Sequence, residues 1–202
     1  MSGESVEREA VSGFGIVRSD RTCLFPERWR QRTLKTRLAI ALRSGYGYVT
    51  GRPRPDNGNS GLKGAFLFSK YEIPHMRGRG GAIVIISSMQ AFLAYESYAG
   101  YAASKAGLLA LTRSLALDHG RDRIRLNAMC PGCIDTPMTQ AWLRVQPDPE
   151  AAMRQVVSAQ PLGRIGTPRD VADAALFLAS DAASLISGTY LVVDGAMSTV
   201  GH

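Results

Sequence analysis

The chain is expected to fold as an α/β domain around a parallel sheet, because strand segments of the fully buried kind alternate along it with longer helical ones. Ala82-Ile83-Val84-Ile85-Ile86-Ser87 is apolar and largely β-branched, follows Gly80-Gly81 and is closed by Ser88. A run with no polar face to give to water is the pattern of a strand covered on both sides, as in parallel sheets. The stretch AASKAGLLALTRSLALDHG, rich in helix formers with apolar residues at helical spacing, comes next, followed by an apolar strand at Ile124 to Met129. Later, Thr189-Tyr190-Leu191-Val192-Val193 reads as a final buried strand ended by Asp194-Gly195.

The connections carry their own signals. Thr167-Pro168-Arg169-Asp170 is a helix start: a capping Thr, Pro in the first turn, and an acid three residues after the cap. Val171 to Ala179 then supplies apolar residues suited to packing on a sheet. Between Thr139 and Gln160 the polarity and Pro147-Asp148-Pro149 predict a loop and a short helix. His119, near the end of the long helix, is placed to interact with the helix dipole.

Three side chains suggest chemistry: Ser88, Tyr101 and Lys105. A free phenol titrates near pH ~10, so a Tyr that works at neutral pH needs a fixed positive charge to favour its phenolate. Lys105 lies four residues after Tyr101 on the helical run, one turn away on the same face. Ser88 is at the carboxyl end of its strand, on the edge where open α/β sheets bind ligands. Acid, tuning cation and hydroxyl donor together suit moving a proton on and off an alcohol oxygen. Tyr-x-x-x-Lys alone is common on solvated helix faces, and it is the combination that informs.

These residues resemble the short-chain dehydrogenase/reductase family. The resemblance runs from about Leu62 to Ser198 and includes LKGAFLFSKYEIPHMRGRGGAIVIISS, YAASKAGLLALTRSLALD, IRLNAMCPGCIDTPM, PLGRIGTPRDVADAALFLASD and SGTYLVVDGAM, in the family's order. It implies a Rossmann-like, doubly wound parallel sheet and hydride transfer between NAD or NADP and a secondary alcohol or ketone. By resemblance Tyr101 is the general acid/base, Lys105 lowers its pKa and binds the nicotinamide ribose, and Ser88 orients the substrate carbonyl. Pro131 and Gly132 turn the chain beside the nicotinamide, and Ile134 and Thr136 bond its carboxamide. The segment from Thr139 to Gln160 corresponds to the family's variable lid, and Met89 to Ala99, with Phe92, Tyr95 and Tyr98, to the facing wall. A homodimer or homotetramer is implied too, since relatives usually pair through the helix carrying Tyr101 and the last strand.

The chain also departs from the family. The glycine-rich turn that brings backbone to the pyrophosphate is not found: Gly13-Phe14-Gly15 has no preceding strand, and Val49-Thr50-Gly51 runs into Arg52-Pro53-Arg54-Pro55. The family's Asn-Asn-Ala-Gly segment has no counterpart. Gly61 stands where a helix Asn would complete a catalytic tetrad, with Asn59 two residues out of register. Ala196 stands where many relatives have a second glycine, a departure expected to matter little.

Composition fits one domain of ordinary soluble character, with 202 residues, 45% hydrophobic and 20% charged. The charge is uneven. Residues 1–60 hold eleven of the 24 Lys and Arg against six of the 17 Asp and Glu, a net of +5, which leaves +2 for the rest. A divergent, basic and poorly ordered segment is therefore expected over 1–60, and the catalytic half of a single domain over 61–202. One explanation for the break is upstream coding sequence lost, replaced or read out of frame. Arg28-Trp29-Arg30-Gln31-Arg32 and Lys35-Thr36-Arg37 can be read as a nucleic-acid or membrane-surface patch, but a leader without such a partner is the favoured reading. Leu38 to Leu42 is too short for a membrane span and the acidic start is unlike a signal peptide, so a cytoplasmic location is expected.

Three cysteines without a secretory signal argue for reduced thiols. Cys130-Pro131-Gly132-Cys133 matches a dithiol redox pattern, but the favoured reading places both as incidental residues in the turn after the strand at Ile124 to Met129. No metal site is expected, since His75, His119 and His202 are scattered. The functional expectation is a nicotinamide-dependent oxidoreductase; the alternative is a catalytically inactive relative that acts in oligomerisation or partner binding.

Overall fold

The computed structural model describes residues 59–199 and the backbone of a strand at 38–41. The sequence features at Gly13-Phe14-Gly15, Cys23, Arg28 to Arg32, Lys35 to Arg37, Val49 to Pro55 and His202 lie outside the described residues.

Among the described residues, four strands form one parallel sheet in chain order: β1 (Leu38–Ala41), β2 (Gly81–Ile86), β3 (Ile124–Pro131) and β4 (Tyr190–Val193). Leu38 aligns with Ala82, Gly81 with Ile124, and Ala128 with Tyr190. The short apolar run at 38–41 thus forms a strand paired with β2. Helices α1 (Asn59–Met76) and α2 (Ala99–His119) cover one face. There Ile83, Ile85, Ile124 and Leu126 bury against Ala65, Phe68, Ile73 and Leu108. Helix α5 (Pro168–Ala179) covers the other, where Ala82, Val84 and Met129 meet Ala175, Leu178 and Ala179. Helices on both faces of a parallel sheet make the doubly wound arrangement. Odd-numbered β2 residues face α1 and α2 and even-numbered ones face α5, which is why the run lacks a polar alternate.

Gly80 is one place where only glycine serves. Its φ is +75°, and an added Cβ would lie 2.8 Å from the Arg123 carbonyl oxygen. That close approach lets Gly81 N–H bond the same oxygen at 3.1 Å and start the β2–β3 ladder.

The region from Thr139 to Gln160 holds more helix than the sequence suggested. Helix α3 (Pro137–Arg144) begins just before it and α4 (Pro149–Ser158) lies within it. Thr136 caps α3 and Asp148 caps α4, each followed by Pro at the first helical position, where its missing N–H costs nothing. Helix α5 has the anticipated start in full: Thr167 Oγ1 accepts from Asp170 N, and the Asp170 carboxylate accepts from Thr167 N at 2.7 Å. Ala196 is a correction, because its φ of +69° lies in the left-handed region. A non-glycine residue there costs on the order of 1 kcal/mol, so the missing glycine does matter to stability.

The end of α5 is closed by a cation from the sheet. The Arg125 guanidinium, on β3, donates to the carbonyls of Leu178 (2.7 Å), Ala179 (3.2 Å), Ser180 (3.1 Å) and Ile186 (3.4 Å). Orphan carbonyls at a helix C-terminus carry partial negative charge, which a five-donor planar cation can satisfy and a point charge cannot. Arg125→Ala is expected to lower stability by about 2–3 kcal/mol, because charge-assisted bonds are lost and carbonyls are left without partners. A urea midpoint equal to the parent's would contradict this.

Candidate active site

The carboxyl ends of β2, β3 and β4 lie side by side. Ser87 N–H bonds Met129 O at 2.7 Å, and Gly132 N–H bonds Val193 O at 3.0 Å, so the ladders run one step beyond β2 and β3. Ser88 is extended (φ −162°, ψ 157°) and opens a 3-10 turn at Met89–Ala91, its Oγ accepting from Gln90 N at 3.2 Å. A hydroxyl that already accepts an N–H has its own proton to donate, and the Tyr101 phenol is in hydrogen-bond contact with it.

Tyr101 and Lys105 lie on one face of α2, turned toward that edge. The Lys105 ammonium is 5.4 Å from the centre of the Tyr101 ring. Its Nζ donates to Ile86 O at 3.2 Å, and the residue is 4% exposed. The structure thus brings Ser88, Tyr101 and Lys105 to one place from two elements. Burial pushes the Tyr101 phenol above its ordinary value; the Ser88 hydroxyl opposes this, and the Tyr98 phenol adds to the rise. Burial also pulls the Lys105 ammonium down to about 8, against the smaller opposing effect of Cys130. At neutral pH the lysine still carries its proton, so a cation stands beside the phenol, as a working Tyr requires.

Pro131 is the last residue of β3, and Gly132 follows at a point of close approach: a Cβ there would lie 2.8 Å from the Asp194 Cβ. Asp194 is buried and accepts from Ala196 N and Ser198 N, which fixes the turn after β4. Ile134 pairs with Gly166 in an isolated parallel bridge. Its carbonyl accepts from Thr139 Oγ1 at 2.6 Å. Thr136 Oγ1 accepts from Thr139 N and touches Thr139 Oγ1, both at 3.3 Å, so its hydroxyl is engaged in the α3 cap. Tyr95, from the Met89–Ala99 segment, is close enough to Cys133 for the thiol to add to burial in raising its phenol.

One cysteine expectation needs revising, the placement of Cys130 in a turn. Strand β3 continues to Pro131 because β4 pairs with its last rungs, Cys130 with Val192 and Pro131 with Val193. Cys130 is therefore a buried strand residue rather than part of a turn, packed with Leu109 and Ala128. Burial pushes its thiol up to about 11 and raises that of Cys133 as well, the reverse of what a reactive dithiol needs. Among the described residues, no group of three His, Cys, Asp or Glu is placed to hold a metal, and no helix is long and apolar enough to cross a membrane.

Sequence reasoning passed over Ser87. It is 4% exposed, and its Oγ donates to Lys105 O at 2.8 Å. The signal was the alternation along β2, which puts position 87 on the face of Ile83 and Ile85, toward α2.

The family model described as enoyl-(acyl carrier protein) reductase matches residues 59–198. A 2-(R)-hydroxypropyl-CoM dehydrogenase from Xanthobacter autotrophicus is 41% identical over 140 residues, covering 69% of this chain and 54% of that protein. An L-fucose dehydrogenase from Bos taurus is 40% identical over 134 residues, covering 66% and 49%. Among solved structures, a ligand-free aldohexose dehydrogenase from Thermoplasma acidophilum superposes with a TM-score of 0.72 at 34% identity, covering 81% of this chain and 68% of that one. A gluconate 5-dehydrogenase from Burkholderia cenocepacia, in complex with NADP and tartrate, gives 0.67 at 31% identity, covering 73% and 58%. The chain spans about half the length of these curated relatives. With a family match over most of its length and a parallel sheet that presents Ser88, Tyr101 and Lys105 at one edge, the chain belongs to the short-chain dehydrogenase/reductase family.

Proposed function

We propose that the chain is the catalytic portion of a nicotinamide-dependent oxidoreductase that interconverts a secondary alcohol and a ketone, with Tyr101 as general acid/base. The observation that carries this is the convergence of the Tyr101 phenol, the Ser88 hydroxyl and the Lys105 ammonium at the carboxyl edge of the sheet. Ser88 donates to the substrate oxygen, Tyr101 gives or takes the proton there, and Lys105 holds the charge that favours the phenolate. Dehydrogenases named for fucose, an aldohexose and gluconate support an alcohol-bearing substrate.

The donor set fits the nicotinamide riboside half of NAD or NADP. Lys105 and Tyr101 would hold the ribose hydroxyls, Pro131 and Gly132 would turn the chain past the ring, and Ile134 and Thr136 would face the carboxamide. When bound, the cofactor supplies or accepts hydride; the protein's part is placement and electrostatics. Because Thr136 is engaged by Thr139, a carboxamide bond from its hydroxyl would displace part of the α3 cap. Calorimetry with NADH and NADPH on the purified chain, with Lys105→Ala as control, tests the reading. Saturable binding that the substitution weakens is expected, and absence of binding to either nucleotide would overturn it.

We further propose a homodimer or homotetramer. Apolar side chains stand out on both sides of the sheet: Leu117 of α2 and Tyr71 of α1 on one, Phe177 of α5 and Leu185 of the loop that follows α5 on the other. Light scattering after size exclusion is expected to give a mass of two or four chains; a monomer would sink this assignment.

A further inference from the structure

Two bonds that run in opposite directions join Lys105 to the end of β2, one through Ser87 and one through Ile86. The Ser87 hydroxyl donates to the main-chain oxygen of Lys105 at 2.8 Å, and the Lys105 ammonium donates back to Ile86 O at 3.2 Å. A mid-helix carbonyl has two lone pairs, and its own helix uses one; the second here is taken by the sheet. Two consecutive strand residues and one helix residue thus close a ring, with the flexible lysine side chain held at both ends. The register places Cys130 next to Ser87 across the sheet, since Ile86 pairs with Met129. The Ser87 hydroxyl is near enough to the Cys130 thiol to oppose part of the rise that burial causes there.

We infer that Ser87 is a positioning residue: its buried hydroxyl ties the main chain of Lys105 to the end of β2 and thereby sets where the ammonium stands beside Tyr101. The inference rests on the acid–base reading of Tyr101 and Lys105. Ser87 itself acts on the ammonium through the helix turn. Removing its hydroxyl leaves the Lys105 oxygen with its helical partner alone, so the turn can rise from the sheet. The Nζ bond to Ile86 O then lengthens. That bond favours the charged lysine, so its weakening makes the proton easier to lose. The ionisable groups that face the ammonium are Tyr101 from α2 and Cys130 from β3, with Asp194 beside Cys130.

The chain has four lysines, Lys35, Lys63, Lys70 and Lys105, so selective isotope labelling lets NMR follow Lys105 by itself, assigned through Lys105→Arg. Titration of Ser87→Ala is expected to show the Lys105 pKa lowered by roughly half a unit to one unit relative to the parent, and Ser87→Thr is expected to restore it. A folded Ser87→Ala with the parental Lys105 pKa overturns the inference. Should the Ala variant fail to fold, Ser87→Cys, a weaker donor of similar shape, is read in the same titration. A smaller drop supports the role and an unchanged value overturns it. The measurement needs neither nucleotide nor turnover, so failure of the proposed activity and failure of this inference are seen separately.

Discussion

Lys105→Met is expected to raise stability by on the order of 3 kcal/mol at neutral pH while abolishing nucleotide-dependent turnover. The cause is burial: taking the ammonium out of water lowers its pKa from 10.5 to about 8, and each unit corresponds to about 1.4 kcal/mol. The sign follows from proton binding. Between pH 8 and 10.5 the unfolded chain holds the lysine proton and the folded chain has released it, so this group's penalty falls as pH rises through that window. Below pH 8 the folded protein carries the whole cost, and above 10.5 neither state is charged. Methionine fills a similar volume without a charge to desolvate, so its advantage is full at pH 7 and nearly gone by pH 10. Urea unfolding of parent and variant at both pH values checks this. A gain that is absent at pH 7, or equal at the two, would show that burial does not strain the lysine. Proteins commonly retain such costs where function needs them.

Tyr101→Phe is expected to cut kcat by on the order of 10²–10⁴ fold, the usual contribution of a positioned acid or base, with the fold nearly unchanged. The ring keeps its edge-on contact with Tyr98, at 6.2 Å between centres, because Phe retains the aromatic body. Loss of the bond to Ser88 costs about 1 kcal/mol. In the alcohol-oxidising direction the parent's rate is expected to rise as alkali ionises the phenol, whose pKa burial has raised. Steady-state rates of the two proteins across pH, with each nucleotide, provide the check. Near-parental activity in the Phe variant would remove Tyr101 from its assigned role.

Strand β2 was legible because burial on both faces leaves no alternation to misread. Tyr101 and Lys105 were legible because one helical turn is a fixed geometry. What escaped depends on pairing across the sheet. Nothing local shows that β3 runs on through Cys130 to Pro131; β4, some sixty residues later, supplies the partners that make it so. Helix α4 is the short helix expected between Thr139 and Gln160, and α3 is the addition, although Thr136-Pro137 carries the same cap-then-proline signal as Thr167-Pro168. There the polarity of the segment outweighed its punctuation. Ser87 is hidden by its neighbour: Ser88 marks the strand end, while the Ser87 hydroxyl, on the α2 face, simply continues the strand pattern.

The Arg125 cluster bears on how this molecule comes apart. One guanidinium joins the second residue of β3 to the end of α5 and to the loop entering β4 at Ile186, and the Asn127 amide adds a bond to the same Ile186 oxygen at 2.8 Å. A local opening of α5 must break these bonds together, which makes helix and strand one cooperative unit rather than two. The same strand is thus held at both ends, by the Arg125 cluster at its start and by the bond from Gly132 N–H to Val193 O at its finish.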